Sequence, residues 1–289
     1  MNANTAIDPN PLPTRVSYHT GMLLDESDFT AEQNYHRQRL ADVLARLHGS
    51  GTVAGLKVEG VAKGAPLPSG QNAAEDTLAV HPGLAVDRAG RLIEVPTARC
   101  LRLDQWLPGI AAAGANVLKP LELGGKRWLV ADVFLSYLEC PNGLQPGFPT
   151  TGLDATDAIV AARITDEFEL VLAPRSSESA GQPPPLPKRP FQPAPANRRA
   201  LLDALYARYD APAELLEYPV APNDNTPAGT PAKKLAEKTA VFLSRVLIRL
   251  TDPPASNLVR HGSNEFTIED EARLALPATE LFLSLTPLA

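Results

Sequence analysis

The stretch QPPPLPKRPFQPAPA (residues 182–196) carries seven prolines in fifteen positions. Proline locks φ and removes a backbone donor, so this stretch is neither helix nor central strand. It divides whatever folds before it from whatever folds after it. Residues 174–197 therefore read as a Pro-rich linker or arm, polyproline-like and able to span ~40 Å. The chain as a whole has 29 prolines in 289 residues, about twice the usual ~5%. Pro9, Pro11 and Pro13 make residues 1–17 a second extended segment, an N-terminal arm. Each arm has a plainer alternative: a frayed terminus for the first, a disordered linker for the second.

Between the arms the pattern first has helical period. Asp25 suits the N-cap of a helix from about Glu26 to His48, with Glu26 and Asp28 complementing the dipole in the first turn. Thr30 and Gln33 offer a second capping-box spacing, four residues later. Phe29, Gln33, His36 and Leu40 share one side, and Leu40, Val43, Leu44 and Leu47 continue at i, i+3, i+4, i+7. Gly49 suits a left-handed C-terminal cap. Such a rod, roughly 34 Å long, needs something large to pack on: its own sheet, or a partner in a symmetric bundle.

From Thr52 the period is two. Thr52–Val58, Thr77–Val80, Leu84–Val86, Arg91–Val95 and Cys100–Leu103 read as short strands. Pro82-Gly83 suits a type II turn and Arg88-Ala89-Gly90 a tight hairpin. Lys126–Glu139 and Ile159–Leu172 are the strongest later strands, the second ended by Pro174. Asn197 caps a second helix running to about Tyr209. Val241–Leu250 fits either period, with strand preferred, and Glu265–Ile268 reads as a last strand. AIVAARI (158–164) and AVFLSRV (240–246) share a form that suggests equivalent sheet segments.

The chemistry-bearing residues form no constellation. GSGTVAG (49–55) follows a helix and precedes a strand, the reverse of a phosphate cradle. The histidines His19, His36, His48, His81 and His261 have no ligand spacing. Cys100 and Cys140 are 40 apart, which excludes a disulfide scaffold or zinc ribbon, and Cys140 at a strand end reads as a buried thiol. Asp132, Glu139 and Asp154 are the nearest approach to a carboxylate pair. No cofactor or metal is expected. Net charge is −6 and no basic run exceeds two residues, arguing against nucleic acid and an anionic membrane surface. No apolar run is long enough to span a bilayer, and the first fifteen residues lack the regions of a secretory signal.

YHTGMLLDESDFTAEQNYHRQRLADVLARLHGSGTVAGLKV (18–58) resembles a recurring bacterial and phage pattern. Its form is an aromatic, Gly-hydrophobic-Leu-Leu, an acidic helix start with Asp-Phe, Glu-Gln-x-Tyr-His, and His-Gly-x-Gly closing the helix. LAVHPGLAVDRAGRLIEVP (78–96), LSYLEC (135–140) and ARITDEFELVL (162–172) continue the likeness. Residues 18–172 are thus similar to baseplate or fibre-attachment proteins of phage tails and contractile injection systems. The helix start is also distantly similar to the type VI secretion adaptor between baseplate and membrane complex. The resemblance implies an assembly role without catalytic residues, with other tail subunits as partners in a virion or contractile particle; the missing signal and span lead to the expectation of cytoplasmic synthesis, and the apolar helix stripe to that of a homo-oligomer.

The expected fold is α+β: an antiparallel β-sandwich core with a long N-terminal helix and Pro-rich arms. The expected segments are 1–17 (arm), 18–51 (helix), 52–173 (sandwich), 174–197 (Pro-rich) and 198–289 (helix plus strands). The expected contacts to other chains are Pro9, Pro11, Pro13, Tyr18, Phe29, Leu40, Val43, Leu44, Leu47 and Phe191. The alternative is a carbohydrate- or receptor-binding sandwich, for which only Trp106 and Trp128 offer large stacking rings. A hydrolase on the β-domain is the third possibility.

Overall fold

The computed structural model describes residues 13–112, 118–146, 159–177, 181–186, 197–200, 202–203, 239–251, 258–262 and 265–276. Within these, helices combine with mostly antiparallel sheets, compatible with an α+β fold. Pro9, Pro11, Phe191, Asp154 and most of the expected 197–209 helix lie outside the described residues. Of that helix, Asn197 Oδ1 accepts from the Ala200 amide at 2.9 Å.

The first helix, α1, spans Glu26–Val43. Asp25 caps it by accepting from the Ser27 and Asp28 amides, and Asp28 returns a carboxylate to the Asp25 amide. This reciprocal pair places the start at Asp25 rather than at the Thr30 spacing. The last expected turn is not α-helical: Leu44–His48 widens into a π turn. Gly49 has φ 81° but ψ −159°, so the chain leaves in an extended conformation and the left-handed cap is not formed.

Three sheets follow. The first has order β1-β4-β5, from Gly51–Gly55, Gly83–Val86 and Leu92–Val95. The second has order β2-β3-β6, from Val58–Val61, Thr77–Val80 and Arg99–Arg102. The expected strand Thr52–Val58 is therefore two strands in two sheets, divided where Gly55 and Leu56 adopt positive φ. Pro82-Gly83 is likewise a crossing from the second sheet to the first. Gly83 does not take the positive φ of a type II turn; it is glycine because a Cβ would strike the Ala54 carbonyl. The Arg88-Ala89-Gly90 hairpin forms as expected between β4 and β5. Leu103 does not extend β6 but opens a helix, α2 (Leu103–Ala112), which the internal Pro108 had concealed.

The third sheet has order β11-β10-β8-β7, with β9 also on β8. Its strands are β7 (Leu121–Leu123), β8 (Lys126–Pro146), β9 (Ile159–Arg175), β10 (Val241–Arg249) and β11 (Phe266–Glu269). Strand β10 lies along Trp128–Leu135 of β8, so the segment after the Pro-rich stretch completes this sheet. All of β10 is buried, which is why its sequence showed no clean alternation. AIVAARI and AVFLSRV are not equivalent: Ile159–Ile164 of the first is the exposed end of β9, and the second supplies the buried β10. Pro174 does not end β9 but pairs opposite Ala131 within it.

One apolar core joins the sheets. It includes Leu78 and Val80 of β3, Ile93 and Val95 of β5, Leu129, Val133 and Leu135 of β8, and Leu243, Val246 and Ile248 of β10. Within the third sheet, buried Asp132 accepts from Arg245 at 2.7 Å and from Arg175 at 2.9 Å. Arg245 also donates to the carbonyls of Pro184 (2.5 Å) and Pro185 (3.2 Å). The start of the Pro-rich stretch is thereby held on the body, with Pro184 buried.

Candidate interaction surface

Helix α1 has no buried residue. It touches the body along one line. Gly90, at φ +79° in the β4–β5 turn, lies so close to the Ala41 carbonyl that a Cβ there would overlap it. One turn earlier, Arg37 donates to Glu139 and, at 3.4 Å, to the Tyr137 hydroxyl. At 100° per residue Leu40 sits about 80° and Val43 about 140° round from the middle of this Arg37–Ala41 line, and Leu47 follows in the π turn. They are consequently left exposed, Leu47 at 74% and Leu40 at 60%. Phe29 (53%) lies on the same side and Tyr18 (50%) precedes it. Leu44, nearer the contact line, is half-buried, and Pro13 is exposed. The expectation that the stripe packs on this chain's own sheet is not met.

The second exposed element is the outer part of the β8–β9 hairpin. The two strands pair in one unbroken register from Val130↔Arg175 to Pro146↔Ile159. β8 is buried through Tyr137 and exposed from Glu139 onward. Eight residues of two-stranded ribbon thus extend past the core, about 26 Å at 3.3 Å per residue. The ribbon carries exposed Leu144, Ile159, Val160 and Ile164. Cys140 lies on it and is exposed, so it is not the buried thiol its position suggested.

A polar joint ties helix to ribbon. The Tyr137 hydroxyl donates to Asp166 Oδ1 at 2.5 Å and lies 3.2 Å from Glu139 Oε1. The Arg91 guanidinium stacks 4.5 Å above the Tyr137 ring and donates to Asp87 and Thr239. Burial, then the Asp166 bond and the charges of Asp166 and Glu139, push the Tyr137 phenol well above its ordinary range. The Glu139 bond raises Arg37. The Tyr18 phenol is also raised, by desolvation and then by Glu32 and Asp28. The joint locks orientation: α1, the ribbon and the β4–β5 turn each contribute a member.

Sequence reasoning named the stripe but missed the joint and the ribbon. Arg37 and Tyr137 are a hundred positions apart and nothing in their local patterns links them. The ribbon had a signal, the run Ile159–Ile164 with one charge, but that run reads equally well as the start of a core strand. The carboxylates offered for hydrolysis are apart: Asp132 is enclosed by two arginines in the sheet, and Glu139 stands on the ribbon. Trp106 donates to the Leu172 carbonyl at 3.0 Å, and Trp128 packs against Leu121, Val130 and Leu247. Both rings are half-buried against the body. Among the described residues no three His, Cys, Asp or Glu side chains gather as a metal site, and no helix is long and apolar enough to cross a membrane.

A scan against protein-family models and a search of curated proteins each return no match to this chain.

Proposed function

We propose that this chain is a non-enzymatic structural component of a contractile tail-like particle, in a phage tail or bacterial injection system. Its role is that of a baseplate, fibre-attachment or cap adaptor. It is made in the cytoplasm and incorporated into the particle as a homo-oligomer in contact with other tail subunits. The three sheets work as a sandwich-like body that holds α1 and the start of the Pro-rich stretch in place. The observation that carries the reading is α1 itself, a helix clamped by Arg37 and Ala41 while Phe29, Leu40, Val43 and Leu47 face outward. Covering each large apolar side chain contributes about 1.5–3 kcal/mol, so a partner seated on that side gains without rearranging the body. The motif in residues 18–58 supports the same reading from sequence. A carbohydrate-binding role has no comparable support, because both tryptophans are engaged within the fold.

The test is to isolate contractile particles from producing cells and measure this chain in them by quantitative mass spectrometry. A fixed small copy number per particle is expected, falling to background for a Leu40→Asp, Leu47→Asp chain that remains folded. Particles of full length and activity that lack the chain would overturn the proposal.

A further inference from the structure

The exposed half of β9 is a strand edge to which, among the described residues, nothing is paired. β9 bonds to β8 on one side, and among the described residues no strand occupies the other. Natural edge strands are kept from pairing by charge, proline, bulges or shortness. Ile159–Ile164 has one charge, no proline and an unbroken register. Further along the same edge, a cleft of about 670 Å³ separates β9 from β5 and β6. It is lined by consecutive residues Asp166–Leu170, as a strand seen edge-on presents them, and opposite by Glu94, Pro96, Arg99 and Leu101.

We infer that this edge takes the same strand of a second copy of the chain, β9 against β9 in antiparallel pairing. Two-fold related antiparallel strands keep each side chain on its own face, so the axis must pass through a residue. Charge selects which one. An axis at Arg163 sets arginine against arginine, and one at Asp166 sets aspartate against aspartate, both unfavourable. An axis at Ile164 pairs Arg163 with Thr165 and leaves Glu167 opposite Ala161. An axis at Thr165 places Arg163 opposite Glu167 of the second copy, twice, with no like charges directly opposed. Arg163 and Glu167 are exposed, and neither forms an ion pair among the described residues. The same register lays Ile159–Ile164 of one copy along Asp166–Val171 of the other. The apolar end of each ribbon then enters the other's cleft, beside Leu101, Phe168 and Leu170.

This deepens the assembly reading and rests on it for context by naming one partner, a second copy. Sedimentation of the full chain across a micromolar concentration series tests it. A monomer–dimer equilibrium is expected. Arg163→Glu and Glu167→Arg each turn two attractive pairs into repulsive ones and weaken the dimer about tenfold or more. The double reversal restores it. Both positions are exposed, so circular dichroism is expected to be unchanged. A wild-type chain that stays monomeric, single reversals that leave the dimer intact, or a double reversal that fails to restore it would each overturn the pairing. A dimer abolished by Leu47→Asp but not by Arg163→Glu would overturn it as well. None of these results touches incorporation into particles, which is measured separately.

Discussion

Asp132 shows how much a single side chain carries in this protein. It is the shared acceptor of Arg245 and Arg175, and Arg245 in turn holds the carbonyls of Pro184 and Pro185. Removing one member of a buried ion pair leaves uncompensated charge and costs about 3–5 kcal/mol. Asp132→Asn is expected to lower unfolding free energy by that amount in urea titration, and to expose the chain near Pro184 to protease. Tyr137 gives a second residue-level test. Its folded phenol is raised above the ordinary phenol range, so the native state holds the proton more tightly than the unfolded chain. Its contribution to stability is fully present below the unfolded value and is lost as pH rises through the folded one. Near-ultraviolet phenolate absorbance should show one tyrosine ionising only as the fold opens in strong alkali. Tyr137→Phe should remove that late step. The carboxylate of Glu59, beside Lys57 and His81, is held below its ordinary range. Its contribution is present above the unfolded value and fades as pH falls through the lowered one.

At the scale of elements, the helix is held at few points and the sheet at many. Gly90→Ala forces positive φ on a residue with a Cβ and drives that Cβ into Ala41. Amide exchange in α1 should accelerate while exchange in β8 and β10 stays slow, because the core does not depend on the contact. Leu40→Asp and Leu47→Asp, on the open side, should each change the stability of the isolated chain by no more than about 0.5 kcal/mol. A larger loss in thermal melts would mean the stripe is already covered. These elements also show what the sequence made legible. The cap at Asp25, the β4–β5 hairpin and strands β3, β5 and β8 follow from local period and turn chemistry. The division at Leu56, the entry of α2 at Leu103 and the outward turn of Ile164 do not. Each is decided by which sheet a neighbour joins, and that is tertiary information. Strand β10 stayed ambiguous because a strand buried on both faces has no alternation to read. The apolar stripe was visible as a pattern, but its exposure depends on where Arg37 and Ala41 meet the body.

The molecule as a whole is organised around strands that are far apart in sequence. β10 begins at Val241 yet lies directly against Trp128–Leu135. Arg273 donates to the carbonyls of Leu243 and Leu56, and the amides of Thr52 and Leu276 bond Leu274 and Thr52 respectively. Contacts of such long range make folding slow, since each must close a large loop before it is rewarded. During synthesis the chain emerges from its N-terminal end. The part of β8 that pairs with β10 is therefore made about a hundred residues before its partner strand. In that interval Leu129, Val133 and Leu135 have no neighbour on the β10 side, and the nascent polypeptide is at its most vulnerable to sticking. A product ending before Val241 should accordingly be found in inclusion bodies or with chaperones rather than as a smaller soluble domain, and supplying the missing C-terminal piece as a separate peptide should rescue part of it.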